Sequence, residues 1–575
     1  MAKLPVHLTL IFALILSPSP MTAQELGATV QSVALDQGRN WTDTRRAEFY
    51  TGDQGSRIMP LAWFKSLRRH DGTAFLPEGL VRYGYIANPA SAEGLPVGFS
   101  VDSAGPGRAI GMTCAACHTR EIEVAGTRYR ADGGPATVDF QAFLTDLDFA
   151  VGHILSDNAT FAAFARDVGA IAGQRTDAAQ LRVAVELWYT RYHTLIVRAL
   201  PQGGWGLGRL DAVSMILNRL TGLDLGPPPT FLIPDNIAVA DAPVRYPFIW
   251  NASKQDHIQW PGFAQNGDEL FGLARNLGEV YGVFGIFTPH KSSRFLLGYD
   301  YVTGNSANFD GLRRLEYLVS LMDAPRWPWL LNAPLVTQGK RVFERPTAEG
   351  GCQECHGVRR GAVRLVPPSL TWKTPILDVG TDSREYQVLS RVAATGAIEG
   401  AITPSLGRLG PRVRSFDILA TSVIGSILQH DLAVVKGTPA TADGSVAMLL
   451  KRPVKSELAK AFELPAGDPK VGHYKYEARV LSGVWAVAPY LHNGAVPTLA
   501  ELLKPPAQRA KSFLVGSNYD RDTVGLAQLQ PGLSGRRTVT GCDLRDSGDS
   551  NCGHDFGTWL SAGDKAALLE YLKTL

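Results

Sequence analysis

The chain has 575 residues, 45% hydrophobic and 19% charged, with 57 basic side chains against 54 acidic ones. The resulting net charge of +3, with no Lys/Arg-rich run, excludes a nucleic-acid binder of the usual basic kind. The length points to about two to four domains, and 59 glycines with 36 prolines imply many turns and long irregular connections.

The N-terminus carries one lysine (Lys3), a short apolar run from Leu8 to Leu16, and Ser17 to Ala23 before Gln24. That order reads as a secretory signal peptide over residues 1–23. A membrane anchor is the alternative, but the run has about half of the ~20 residues that span a bilayer. The expectation is therefore an exported, periplasmic protein with no membrane span after cleavage.

A Gly/Pro/Ser-rich approach, Pro96 to Gly111, leads into Cys114-Ala115-Ala116-Cys117-His118. Helical spacing follows at Phe140, Phe143, Leu144 and Leu147, and again from Leu181 to Leu200. The pattern breaks at Gly226-Pro227-Pro228-Pro229. Residues 241–305 are rich in aromatics and glycines and poor in periodicity, which suits a pocket wall better than a core helix. A helix from Leu312 to Met322 ends before Pro325-Arg326-Trp327-Pro328-Trp329. The domain boundary is placed there, giving an N-terminal haem domain with insertions over 24–330 and a C-terminal cytochrome c domain over 331–575.

The second half opens on a short amphipathic helix, Val336 to Glu344, running into Cys352-Gln353-Glu354-Cys355-His356. It closes on Asp564 to Leu575, where Leu568, Leu572 and Leu575 share one helical face. The expected fold is mainly α, with two cytochrome c-type haem domains and long loop insertions.

Two thiols spaced by two residues add across the vinyl groups of haem, and the histidine that follows supplies an imidazole to the iron. The pattern arises by accident in on the order of one chain in a thousand, and two copies are far rarer. Zinc would need a further matching ligand pair, and the chain has none to spare. The reading is two covalently bound haem c groups, held by Cys114, Cys117 and His118 and by Cys352, Cys355 and His356. Of the six cysteines, Cys542 and Cys552 remain, flanking a short polar loop, and in an oxidising compartment they read as a disulfide.

The segment Gly483-Val484-Trp485-Ala486-Val487-Ala488-Pro489-Tyr490-Leu491-His492-Asn493-Gly494-Ala495-Val496-Pro497-Thr498-Leu499 resembles a signature of the bacterial dihaem cytochrome c peroxidases and MauG-type enzymes. Its Leu-His-Asn-Gly version is also similar to the dihaem rubber oxygenases. The resemblance covers most of 330–575 and is looser in the N-terminal half. There, Trp260-Pro261-Gly262 followed by Asn276-Leu277-Gly278-Glu279-Val280 is similar to the peroxidase pairing of a tryptophan with a Glu about twenty residues on. The family's Asp and Arg after the tryptophan, and its Pro after the asparagine, are absent.

The resemblance implies Glu279 as the acid–base that moves a proton between peroxide oxygens and Trp260 as a residue between the haems. The family's methionine ligand near the last helix is missing, and Gly553-His554-Asp555-Phe556-Gly557 stands in its place. His554 is thereby the expected second axial ligand of the C-terminal haem, with His492 beside that haem or, instead, the ligand itself. The implied activity is hydrogen peroxide reduction at the N-terminal haem, fed through the C-terminal one by a small redox protein. Two rivals stand: an O2-using oxygenase of the rubber-oxygenase kind, and a plain electron carrier with two six-coordinate haems.

Overall fold

The computed structural model describes residues 32–76, 78–102, 108–173, 175–295, 297–365, 368–403, 407–436 and 474–575. The expected signal peptide lies outside them. Helix accounts for 39% and strand for 17%, in many small sheets, so the mainly-α expectation is corrected to a mixed architecture. Two separate haem domains do not emerge from it either.

Most strands pair with near neighbours in sequence, two or three to a sheet, while a few, such as Val33–Ala34 with Tyr129 and Arg130, join distant segments. The longest ribbon joins Thr119–Val124 to Thr127–Asp132 directly after the first Cys-x-x-Cys-His group. Its two-residue turn puts Ala125 and Gly126 both at positive φ, 50° and 78°, the conformation that matches the right-handed twist of a tight hairpin. Charged residues alternate through both strands and hide them from a search for apolar runs.

The long helices follow the apolar spacing. Phe140–Leu155 buries Phe143, Leu144, Leu147 and Val151 and is capped by Asp139, which accepts from the Ala142 amide at 2.9 Å. Ala178–Ala199 and Phe309–Ser320 fall within three residues of their expected bounds. The 241–305 stretch departs from its expectation, because Glu269–Gly282 is a helix capped by Asp268. Its face of Phe271, Leu273, Ala274, Leu277 and Val280 is buried, while glycines at 272, 278 and 282 thin the periodic signal.

Cores join distant parts of the chain. One links Val213, Leu277 and Leu312 with Leu389, Phe416 and Val423. Another links Leu35, Tyr50 and Ile122 with Trp485, Leu499 and Leu568. The Ala333–Phe343 helix crosses the closing Ala562–Leu572 helix at Gly339, where a Cβ would meet the Ala567 carbonyl oxygen at 1.9 Å. That close crossing sets the floor under the second Cys-x-x-Cys-His group. No helix of the described residues is long and apolar enough to cross a membrane.

Candidate haem sites

Both Cys-x-x-Cys-His groups fold as one tight turn. Backbone bonds run from His118 to Cys114 and from His356 to Cys352, each 2.9 Å, so both sulfurs and the ring leave one side of the chain. The first turn is held by Gly98 at φ +85°, where a Cβ would lie 2.0 Å from the Ala116 nitrogen. None of the four thiols is in a disulfide, and burial pushes Cys114 and Cys117 up to about 12 and Cys352 up to about 11. Thiols raised in this way stay protonated near neutral pH and are poor free nucleophiles. Among the described residues, no three His, Cys, Asp or Glu side chains converge as a metal site of their own would need.

The two proximal histidines are oriented identically. A carbonyl can only accept, so His118 donates from Nδ1 to the Pro247 oxygen at 2.8 Å, and His356 from Nδ1 to the Arg479 oxygen at 2.7 Å. Each bond fixes the tautomer and leaves Nε2 free as a neutral ligand nitrogen. Burial supports neutrality, taking His118 down to about 4 and lowering His356 as well.

A cavity of about 190 Å³ opens over Cys352, Cys355 and His356 and is walled by Leu481, Val484, Val487 and Leu572. Its lining is mostly apolar and includes Cys352, Cys355 and His356, the donor set that covalent haem attachment would need. His554 lies across it, with its ring centroid 6.2 Å from that of His356. A metal–imidazole bond of about 2.0–2.1 Å plus about 1.1 Å from nitrogen to ring centre separates the centroids of two trans imidazoles by about 6.3 Å. At the observed spacing both rings would reach one iron placed between them.

The His554 loop is built for this position. His554 sits at φ 52°, a left-handed conformation that costs a non-glycine residue about 1 kcal/mol or more and persists where the surroundings enforce it. Arg509 does so by donating to the carbonyls of Asn551, Gly553 and His554, at 2.7, 2.7 and 2.9 Å. The expected disulfide between Cys542 and Cys552 closes the loop just ahead of it. The buried His554 Nδ1 has no hydrogen-bond partner, and burial takes the ring down to about 3.

His492 lines the same cavity, as do Arg245, Trp260 and Glu477. Its ring stacks on Tyr476 at 4.0 Å, and burial takes it down to about 3. Trp260 is buried, donates from Nε1 to the Arg245 carbonyl at 3.0 Å and carries the Arg245 guanidinium 4.7 Å above its ring.

The next residue back, Gln259, faces another way. Its amide donates to Glu279 Oε1 at 2.6 Å, within a small cavity of about 30 Å³ lined by Ile216, Phe263, Phe271, Arg275 and Leu419. The segment around 259–260 thus brings Trp260 and Glu279 near each other but turns them to different cavities. Glu279 lies deep in the protein, yet 39% of its side-chain surface stays accessible, so the carboxyl borders internal space. Burial raises its pKa above the ordinary carboxylate value, with Arg275 and Gln259 pulling the other way. Its charge reaches Cys114 and Cys117 and pushes both thiols further up.

Sequence reasoning missed Pro247, Arg479, Arg509 and Gln259. The first three act through or upon backbone carbonyls, which no side-chain pattern reports.

Residues 475–514, which contain Arg479 and His492, match the family model described as RoxA-like, cytochrome c-like. The match supports a rubber-oxygenase-like haem family and haem binding by this chain. The uncharacterized protein y4iJ of Sinorhizobium fredii (strain NBRC 101917 / NGR234) is similar over nearly the whole length. It is 28% identical over 610 residues, covering 93% of this chain and 92% of that one. The uncharacterized protein y4iM of the same organism is 48% identical over 118 residues, 17% of this chain and 27% of its own.

Proposed function

We propose that the protein is an exported dihaem oxidoreductase that reduces hydrogen peroxide at the site of Cys114, Cys117 and His118. The site of Cys352, Cys355, His356 and His554 relays electrons to it from a small redox protein. A haem at each site supplies an iron that takes up electrons and, where one face is open, binds the oxidant. The observation that carries the reading is the Glu279 carboxyl, bordering internal space and electrically close to Cys114 and Cys117.

The chain's own groups divide the work. Pro247 and Arg479 orient the proximal imidazoles through their carbonyls. Glu279, with its pKa raised by burial, keeps a proton to higher pH than an exposed carboxyl and can hand it to a departing oxygen. Gln259 fixes the position of that carboxyl, and Phe263, Phe271 and Leu419 line the cavity around it with apolar surface.

A second reading is favoured by the RoxA-like match and by the apolar part of the same lining: O2 attack on an unsaturated hydrocarbon. One assay separates them. The haem-loaded protein, given a reduced small cytochrome or copper protein, should consume hydrogen peroxide. If it shows no peroxide turnover in either redox state and cleaves an unsaturated hydrocarbon with O2, the second reading replaces the first.

A further inference from the structure

The partners of the two proximal histidines meet each other. Pro247, which accepts from His118, is followed by Phe248, and Phe248 is buried with its ring 4.3 Å beneath the guanidinium of Arg479. The carbonyl of that same Arg479 accepts from His356. From one imidazole to the other the structure is therefore covalent except for three contacts, of 2.8, 4.3 and 2.7 Å.

The contact between Phe248 and Arg479 is buried. Arg479 is 4% exposed, its Nε and Nη2 donate to Gln255 Oε1 at 3.2 and 3.1 Å, and Glu477 lies 3.5 Å from Nε. The Phe248 ring stacks on Trp250 at 5.1 Å, and Trp250 donates from Nε1 to the Ser482 carbonyl at 2.7 Å, locking residues 247–250 onto 479–482. Trp260, by contrast, bonds to the Arg245 carbonyl and packs against the Arg245 guanidinium and the His492 ring.

We infer that Pro247, Phe248 and Arg479 form the bridge by which an electron passes between the two haem sites, on their proximal side. The inference rests on the reading that both groups hold haem. The step moves one electron: the C-terminal site is oxidised by one unit and the N-terminal site reduced by one. No bond breaks and no proton crosses, because both Nδ1 hydrogens stay on their carbonyls. The reductant is the small redox protein of the proposed reaction, or dithionite in vitro. Phe248 and Arg479 are positioning residues, since they act through the two histidines.

The test uses the haem-loaded full chain, partly reduced, with electron exchange between the sites followed optically after a flash. Phe248→Leu removes the ring and keeps an apolar side chain. Exchange should slow roughly tenfold, with haem content and the paramagnetic resonance of both irons unchanged. Phe248→Tyr, which restores a ring, should return the rate to within about twofold. Should Phe248→Leu fail to fold, Arg479→Gln removes the cation over the ring and is read the same way. Undiminished exchange in a variant with two haems and native spectra overturns the bridge alone. Fewer than two haems in the unmutated chain overturns the reading beneath it.

Discussion

Glu279→Gln should lower peroxide turnover by about 10²–10⁴-fold, the usual contribution of a positioned general acid–base group, without loss of haem. Heterolytic O–O cleavage requires one oxygen to leave as water, and glutamine can hold the Gln259 contact but has no proton to give. The pH profile follows from the raised pKa of Glu279. Its acid form is fully present at low pH and lost as pH rises through that raised value, so turnover should fall on the alkaline side of it. The variant should lose that limb of the profile. Steady-state peroxide consumption against pH measures both effects. Full turnover in the variant would remove Glu279 from the proton path.

His554→Gly should convert the C-terminal haem from low-spin to high-spin. The two imidazole centroids stand 6.2 Å apart across that cavity, a spacing at which both rings would reach one iron, and glycine withdraws one of them. Glycine also relieves the left-handed backbone at φ 52°, so the loop held by Arg509 and the disulfide should keep its course. His492→Gly should perturb the spectrum much less, because the His492 ring is held by stacking on Tyr476. Electron paramagnetic resonance of the two variants decides the matter. The reverse order would make His492 the ligand.

What the sequence conveyed, and what it hid, follows from where the information sits. Covalent haem chemistry needs fixed side chains at fixed spacing, so the two Cys-x-x-Cys-His turns are visible in the letters alone. So is the Cys542–Cys552 pair, and so are the helices whose apolar residues recur at three and four. Strands were hidden because they are short, mostly paired with near neighbours and, as in Thr119–Val124, alternate charges with apolar residues. The Glu269–Gly282 helix was hidden because its glycines dilute the repeat, and with it went the placement of Glu279. The carbonyls that orient His118 and His356 come from residues 129 and 123 positions away. A backbone oxygen has no identity in a sequence, and only folding brings Pro247 and Arg479 to those rings.

The chemistry proposed for the two sites requires covalent haem at both. Protein matured with its exported haem machinery, then denatured and extracted, should retain two haems per chain in a pyridine haemochrome assay. One haem or none per fully matured chain would contradict it.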